Sequence, residues 1–479
     1  MPAPAPKRVR SVAPTKASAR LRRHFRLEAQ ANGEIIACFD GYSVGLGTFS
    51  AAAADRAKEL RAGLPLSSIS SVSRNIDKEM GLLVRRLARH GLLEYRLGRS
   101  RNSEDLVVIE PQVADYWPQA PQLGNAEALV LSRFAFMRRR GNEMVVESPR
   151  AGALFKICDP KIAAAIAMLS TPQQIKALRQ QEGFPGVELL ALLLDCQILF
   201  KVGAGESGLR VAEGDHSLVL WDFHDLLFHA RSTKGRHASP LGGVYPYVGV
   251  ISPLPAVRPS WPGKKVDLRK LSAAHPEVTS PVAKLLRERH STRSFDDQRP
   301  ITLAELAQFL DGSARVLSRS NMKLDLDGDH TVRPYPSAGA AHELELYLTV
   351  NLCEGLARGF YHYDAGAHVL APIGVPTNEL EALLAEAEEA MGAPAAPQIL
   401  ITIAARFGRI SWKYSSIAYA LILKDVGVLT QALYLMTTDM GLGGCAIGIT
   451  NIDLFAKMTG VEFHVEGPVG QFAIGRGAK

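Results

Sequence analysis

The stretch from Ile417 to Met440 is apolar over a length that suits one long helix, and it runs straight into Gly441-Leu442-Gly443-Gly444. That segment constrains the C-terminal part of the chain more than any other. Around it the patterns alternate. Leu303 to Leu310 has helical spacing, Leu344 to Val350 and Gln398 to Ala404 read as strands, and Gln471 to Ile474 reads as a final strand. This mixture predicts an α+β domain over 281–479. No run of about 18 or more apolar residues is free of charge, which argues against a membrane span.

With 479 residues, the chain is long enough for more than one domain at roughly 100–200 residues each. Two further regions precede the α+β domain. In 24–120, a strand-like stretch from Gly33 to Phe39 leads to an alanine-rich helix, Phe49 to Leu60. A helix carrying Leu82, Leu83, Leu87 and Leu92 follows, then a strand from Leu93 to Leu97. Helix, turn at Gly91 and strand form the ending of a winged helix. In 121–215 the order recurs: Asn142 to Glu147, a helix from Pro160 to Leu169, then Val187 to Leu194 running into Ile198 to Val202. The recurrence predicts two winged-helix-like α/β modules in tandem. Residues 216–280 read as a connector, proline-rich from Pro240 to Pro262 and therefore extended.

The net charge of +7 equals the seven basic residues of the first 23: Lys7, Arg8, Arg10, Lys16, Arg20, Arg22 and Arg23. Residues 1–23 read as a disordered basic arm, and the remainder is formally neutral. Winged helices suggest DNA, and Arg85, Arg86 and Arg89 lie on the first candidate recognition helix. The second, Glu188 to Asp195, has no basic residue to neutralise phosphate. No nucleic-acid partner is therefore expected, and Arg85, Arg86 and Arg89 read as a solvated face. The five cysteines form no C-x-x-C pair, which fits a reducing, cytoplasmic setting. His224, His229 and His237 lack ligand spacing, so no metal is expected; hydrogen-bonded structural roles suit them better.

Three elements carry chemistry. In Arg289-His290-Ser291-Thr292-Arg293, alternation places two guanidinium forks and a hydroxyl on one side of an extended segment, which suits a phosphate. Arg333-Pro334-Tyr335-Pro336-Ser337-Ala338-Gly339 leads into a strand, with small residues that let a flat ligand approach the backbone. Gly441 to Gly448 follows the long helix, either as a loop offering N–H groups or as a helix cap and flexible turn. It does not have the G-x-G-x-x-G form before a helix, so a Rossmann site is excluded.

In this order the three elements resemble the FMN-dependent nitroreductase superfamily over about 200 residues. The resemblance implies that Arg289, Ser291 and Arg293 hold the phosphate of FMN. It further implies that Pro336, Ser337, Ala338 and Gly339 lie along the flavin ring, and that Ala446, Ile447 and Gly448 cover its other face. Arg476 is then an extra phosphate contact, and the family implies a homodimer with FMN at the subunit interface. The chain departs from ordinary members at Gly339-Ala340-Ala341, where an asparagine is common.

The departures, with Gly359-Phe360-Tyr361-His362-Tyr363-Asp364 and Phe228-His229-Ala230-Arg231-Ser232, resemble the SagB-type azoline dehydrogenases of cyanobactin and streptolysin type. These oxidise thiazolines and oxazolines in a ribosomally made precursor peptide to thiazoles and oxazoles. The resemblance implies a peptide substrate, a cyclodehydratase partner, N-terminal modules that grip the peptide or that partner, and reoxidation by oxygen. It also gives meaning to Lys413-Tyr414. Azoline oxidation removes a proton from the ring and a hydride from the adjacent carbon, so a base must stand beside the flavin, and the family pair supplies it. The aromatics at Tyr361 to Tyr363 read as packing and dimer contacts. Alternative readings are an NAD(P)H-dependent reductase of small molecules, a flavin-linked DNA-binding regulator, and an inactive scaffold of a modification complex.

Overall fold

The computed structural model describes residues 16–39, 42–69, 75–99, 104–113, 115–181, 183–202, 213, 215–233, 247–260, 262–269, 272, 280–320 and 330–478. They fall into two units, Met1–Val219 and Leu220–Lys479.

In the first unit one order of elements occurs twice. A strand, Lys16–Leu21, precedes a three-stranded meander of Arg26–Ala29, Glu34–Phe39 and Tyr42–Thr48. Then come the helix Ala51–Ala57, the short strand Leu64–Pro65, the short helix Leu66–Ile69, the helix Asn75–Arg89 and the strand Leu93–Gly98. The second round runs through Ala128–Leu131, the meander Phe136–Arg140, Glu143–Glu147 and Ala153–Ile157, and the helix Pro160–Ala167. It closes with Gln173–Gln174, Ile175–Leu178, Val187–Asp195 and Leu199–Val202. Local chemistry starts the helices at matching places. The Ser50 hydroxyl accepts from Ala53 N–H, and Asp159 accepts from Lys161 N–H with Pro160 in the first turn.

The two rounds share a sheet. Val107–Pro111 continues from Leu93–Gly98 and pairs with Ala153–Ile157, from Val107↔Ile157 to Pro111↔Ala153. A single seven-stranded antiparallel sheet results. One core runs through both rounds, with Tyr95, Phe155 and Leu189 fully buried in it. The Tyr95 hydroxyl donates to the Tyr116 carbonyl at 2.9 Å, and the Tyr116 hydroxyl meets Cys196 Sγ at 3.3 Å. The division at 120/121 is thus a boundary of repetition and not of packing.

Three expectations need correction here. The basic composition predicts an arm up to residue 23, but Lys16–Leu21 is a strand paired on both sides, with Leu64–Pro65 and Leu93–Gly98. Arg20 closes on Glu94 at 2.7 Å and on Asp105 at 3.0 Å, and Arg22 donates to the Leu93 and Pro111 carbonyls. Composition conceals the strand because two basic residues at its end, Arg20 and Arg22, serve as internal ties. The part of the arm before residue 16, with Lys7, Arg8 and Arg10, lies outside the described residues. Secondly, Arg85, Arg86 and Arg89 are not merely solvated: they engage the Trp117 ring, the Leu46 carbonyl and Asp115. Thirdly, the connector begins with structure. The helix Phe223–Arg231 belongs to the second unit, where Trp221 Nε1 donates to the His464 carbonyl at 2.8 Å. His229 is buried among Trp221, Phe407, Tyr419 and Phe463, with its ring nitrogens at the Tyr419 hydroxyl and the Phe463 carbonyl. His224 meets the Ser416 carbonyl. His237, and residues 240–246 and 261 of the proline-rich stretch, lie outside the described residues.

The second unit is built on a six-stranded antiparallel sheet. Its order is Val369–Ile373, Gly359–Asp364, Leu344–Val350, Ile399–Arg406, Glu466–Gly475, Gly443–Ile447. The aromatics of Gly359–Asp364 pack as expected: Phe360 stacks on Tyr347, the Tyr363 hydroxyl meets His368, and His362 meets Glu345. The long helix, Ala418–Asp439, packs on this sheet and on the helix Leu303–Ala314, which a Thr302/Glu305 capping box starts. Among the described residues it is the one helix long and apolar enough to cross a membrane; here it is the central helix of the domain.

Leu21 tests the corrected N-terminal boundary. It is 4% exposed in the core, so Leu21→Ala is expected to cost about 2–4 kcal/mol in a urea titration. A change within about 0.5 kcal/mol, the size of a surface substitution, would restore the arm reading.

Candidate flavin site

The long helix organises the candidate residues through two polar side chains, Tyr434 and Asp425. Tyr434 stands where the Arg289–Arg293 tract meets the glycine-rich segment. Its hydroxyl accepts the Ala446 N–H at 2.9 Å and lies 2.8 Å from Ser291 Oγ. The Arg289 guanidinium covers its ring, 4.8 Å from the centroid. Since the Tyr434 oxygen already accepts from Ala446, its own proton is available for Ser291 Oγ, and the serine proton can then go to Cys445 Sγ or, in its place, to an anion. Arg293 lies near enough to Cys445 for its charge to act on that thiol. Burial raises the Cys445 thiol, while Arg293 and a hydrogen bond from Ser291 act to lower it. Neither Arg289 nor Arg293 has a carboxylate partner among the described residues. Two uncommitted guanidinium groups and a hydroxyl donor fit the phosphate of a flavin nucleotide.

The glycine-rich segment differs from the loop expected. Gly443–Ile447 is an edge strand in register with Gln471–Gly475. Its glycines serve close approach: a Cβ on Gly443 would lie 2.6 Å from Thr292 Cγ2. Thr292 N–H donates to the Gly444 carbonyl at 2.8 Å, so the Arg289–Arg293 tract is laid along the open edge of the sheet. Ala446 and Gly448 are exposed, whereas Ile447 points into the core beside Phe455. Ile447 can therefore offer a ring only its backbone. Arg476 is also corrected. Its guanidinium forms a two-pronged ion pair with Glu305, at 2.6 and 2.7 Å, and donates to the Arg299 carbonyl. It ties the last strand to the helix Leu303–Ala314 and is not available to a phosphate.

The turn Pro336–Gly339 is fixed from the second polar residue. Asp425 Oδ2 accepts the Ala338 N–H at 2.8 Å, and Ser337 Oγ accepts the His342 N–H at 2.7 Å. Gly339, Ala340 and His342 all have left-handed backbones, with φ of 57°, 52° and 45°. Two of these are not glycine, so external bonds must hold the turn. Lys413 and Tyr414 pack against it. At Gly339 the place a Cβ would occupy is 2.5 Å from the Tyr414 hydroxyl and 3.1 Å from Lys413 Nζ. The expected catalytic pair and the expected ring-facing turn thus touch, though more than 70 residues separate them. Any residue larger than glycine would push the pair away.

Sequence reasoning missed Tyr434, Asp425 and Glu343. An acid inside a largely apolar helix and another at the head of a buried strand were the available signals. Glu343 is fully buried, and His342 beside it is pushed down to about 4 by burial and by Arg333 and Arg409.

An α+β domain with paired arginines at a sheet edge and a lysine–tyrosine pair against a small-residue turn is the arrangement of a flavin-dependent oxidoreductase. Comparison with known proteins agrees. The nitroreductase family model matches residues 286–476, and a cyanobactin oxidase model, ThcOx, matches 129–238. A curated nitroreductase-family protein of Methanocaldococcus jannaschii is 32% identical over 164 residues, which covers 34% of this chain and 76% of that one. The chain belongs to the nitroreductase family. Among solved structures, a nitroreductase-family protein of Ralstonia eutropha is 23% identical, with a TM-score of 0.31, and covers 43% of this chain and 87% of its own. The microcin synthetase McbBCD complex of E. coli, with truncated pro-MccB17 bound, contains a chain 18% identical with a TM-score of 0.41, covering 57% and 99%.

Tyr434 gives the test of this site. Tyr434→Phe keeps the ring under Arg289 and removes the hydroxyl link. It is expected to weaken flavin binding about 3- to 10-fold in a fluorescence titration, the effect of roughly 1 kcal/mol of hydrogen bonding. Arg289→Ala with Arg293→Ala is expected to weaken it at least 100-fold. An unchanged dissociation constant in the double variant would remove the phosphate from this edge.

Proposed function

We propose that the protein is an FMN-dependent azoline oxidase acting on a ribosomally made peptide. The observation that carries this reading is the packing of Lys413 and Tyr414 on Gly339, in a chain that also has a segment of cyanobactin-oxidase type. FMN held by Arg289, Ser291 and Arg293 would supply the hydride acceptor, with oxygen as the final two-electron oxidant. This chain supplies the proton transfer: Lys413 or Tyr414 takes the proton from the ring carbon next to the one that loses the hydride. The azoline thereby loses two hydrogens and becomes aromatic. Lys413 is exposed and Tyr414 half-buried, so the pair is open to a substrate that closes over it.

A homodimer with FMN between the subunits fits the long helix. Asp425 and Tyr434 are nine residues apart, roughly 13 Å along the axis and on opposite sides of the helix. The turn and the phosphate donors of one chain therefore flank the helix and do not face each other, as expected if a second copy completes each site. Leu421, Val428 and Leu435, seven apart on the same helix, are incompletely buried, and Val282 and Leu286 are at least half exposed.

The first unit suits a grip on the peptide or on a cyclodehydratase partner. The meander leaves Arg26–Ala29 as an edge strand beside an apolar cleft of about 160 Å³ lined by Leu21, Leu27, Ile35 and Ala54. An extended peptide can add to such an edge, and tethering raises its concentration at the flavin. The five free cysteines are consistent with a reducing cytoplasm.

Mixing the purified flavoprotein with a thiazoline peptide under nitrogen should bleach the visible flavin band as the peptide loses two hydrogens by mass. Lys413→Ala and Tyr414→Phe are expected to slow that bleaching by about 10²–10⁴ while flavin still binds. Bleaching by NAD(P)H alone would assign the protein as a reductase. Val428→Glu with Leu435→Glu is expected to give monomers by light scattering and to lose flavin together with the dimer.

A further inference from the structure

Behind the Pro336–Gly339 turn lies a pair of buried carboxyl groups that the proton transfer above does not use. Glu343 is fully buried at the head of the strand Leu344–Val350, and Asp425 is 6% exposed on the long helix. Among the described residues no side chain donates to either oxygen of Glu343, and its own backbone N–H, which favours the charged form, is outweighed by burial. What faces it at hydrogen-bond range is the Asp425 carboxyl. Two carboxylates are both acceptors, so this contact is a hydrogen bond only when one of them carries a proton. The Ala338 N–H favours negative charge on Asp425. The proton therefore belongs on Glu343, whose O–H donates to Asp425.

The surroundings sustain that assignment. Burial, and then the Asp425 charge, push Glu343 up to about 7, and Asp425 is raised too. Arg333 opposes this from the strand side, but its guanidinium is aimed at the Tyr335 hydroxyl and the Leu344 carbonyl. Arg409 donates to the Ala341 carbonyl. His342, held neutral down to about pH 4, supplies no compensating charge near neutrality, and His330 is buried next to the Ala340 carbonyl.

We propose that Glu343 and Asp425 act as a carboxylic acid–carboxylate pair that positions the Ser337–Gly339 turn, and with it the Lys413/Tyr414 pair, for azoline oxidation. Both are positioning residues, and the catalytic part of the inference rests on the function proposed above. Asp425 accepts the Ala338 N–H and so anchors the left-handed turn from the long helix, and Glu343 lets it do so as a buried anion. The turn in turn sets where Lys413 Nζ and the Tyr414 hydroxyl can stand, because they pack on Gly339 with no side chain between.

The test uses the full-length holoenzyme with Glu343→Gln, Glu343→Ala and Asp425→Ala. Glutamine still donates to Asp425, so Glu343→Gln should keep flavin affinity and turnover within about 3-fold of the parent, the effect expected when a neutral donor replaces a neutral donor. Glu343→Ala and Asp425→Ala should each lower kcat 10-fold or more at little change in flavin affinity or KM, one lost positioning bond being worth about a factor of 10. Two readouts do not depend on turnover. The parent at pH 6 should show the infrared carbonyl band of a buried protonated acid, and Glu343→Gln should lack it. Because the folded-state pKa of Glu343 is raised from 4.5 to about 7, its stabilising contribution is complete below about pH 4.5 and is lost as pH rises through about 7. The urea midpoint of the parent should therefore fall relative to that of Glu343→Gln across that window; subtracting the variant removes the opposite contribution of His342. Absence of the acid band, a flat difference between parent and Glu343→Gln, or equal damage by glutamine and alanine would each overturn the pair. If the parent oxidises no azoline but the band and the pH difference are present, the function proposed above fails while the carboxyl pair stands.

Discussion

The second unit depends on polar groups placed on one otherwise apolar helix. Burying Asp425 and Tyr434 in Ala418–Asp439 is costly unless each is bonded, and the bonds they make are to other segments of the chain. Tyr434 holds the Arg289–Arg293 tract against the sheet edge at Ala446. Asp425 holds the turn before the strand Leu344–Val350. Three segments distant in sequence are thereby tied to one rigid element, which sets the geometry of the candidate site more firmly than loops could.

The same economy of contacts explains the two glycines that matter most. Gly443 lets Thr292 lie on the edge strand, and Gly339 lets Lys413 and Tyr414 lie on the turn. In each case a missing side chain brings two functional segments within van der Waals distance. The chemistry proposed here needs both closures. One edge must gather positive charge for a phosphate, and the other must hold a base where a ring carbon can reach it.

The first unit shows a different constraint. Each round of elements contains a meander with an edge strand, and an unpaired edge invites association. In the second round the third meander strand, Ala153–Ile157, is covered by Val107–Pro111, so the two rounds share one sheet and one core, while Phe136–Arg140 stays at the sheet edge. In the first round the corresponding third strand, Tyr42–Thr48, has no such cover within its three-stranded sheet. The repeated order of elements is thus followed by unequal pairing: one meander joins the shared sheet and the other remains a separate three-stranded sheet.

Much of this was legible in sequence, and the reason is local. The long helix, the strand Leu344–Val350, the repeated order of elements and the R-x-S-x-R tract are each written in periodicity or in residue type over a few positions, and the structure places them close to where those patterns ended. What the sequence could not decide was partnership. Arg20 and Arg22 resemble other basic residues of the arm until Glu94 and the Leu93 and Pro111 carbonyls are brought to them. Arg476 resembles a phosphate ligand until Glu305 takes its guanidinium. Glu343 and Asp425 are two ordinary acids in sequence; only folding removes water from both and leaves them a single proton to share. Sequence determined which elements form and which side chains carry charge. Tertiary structure decided which charges are spent on holding the fold and which remain for a ligand, because that depends on the distance and burial of groups far apart along the chain.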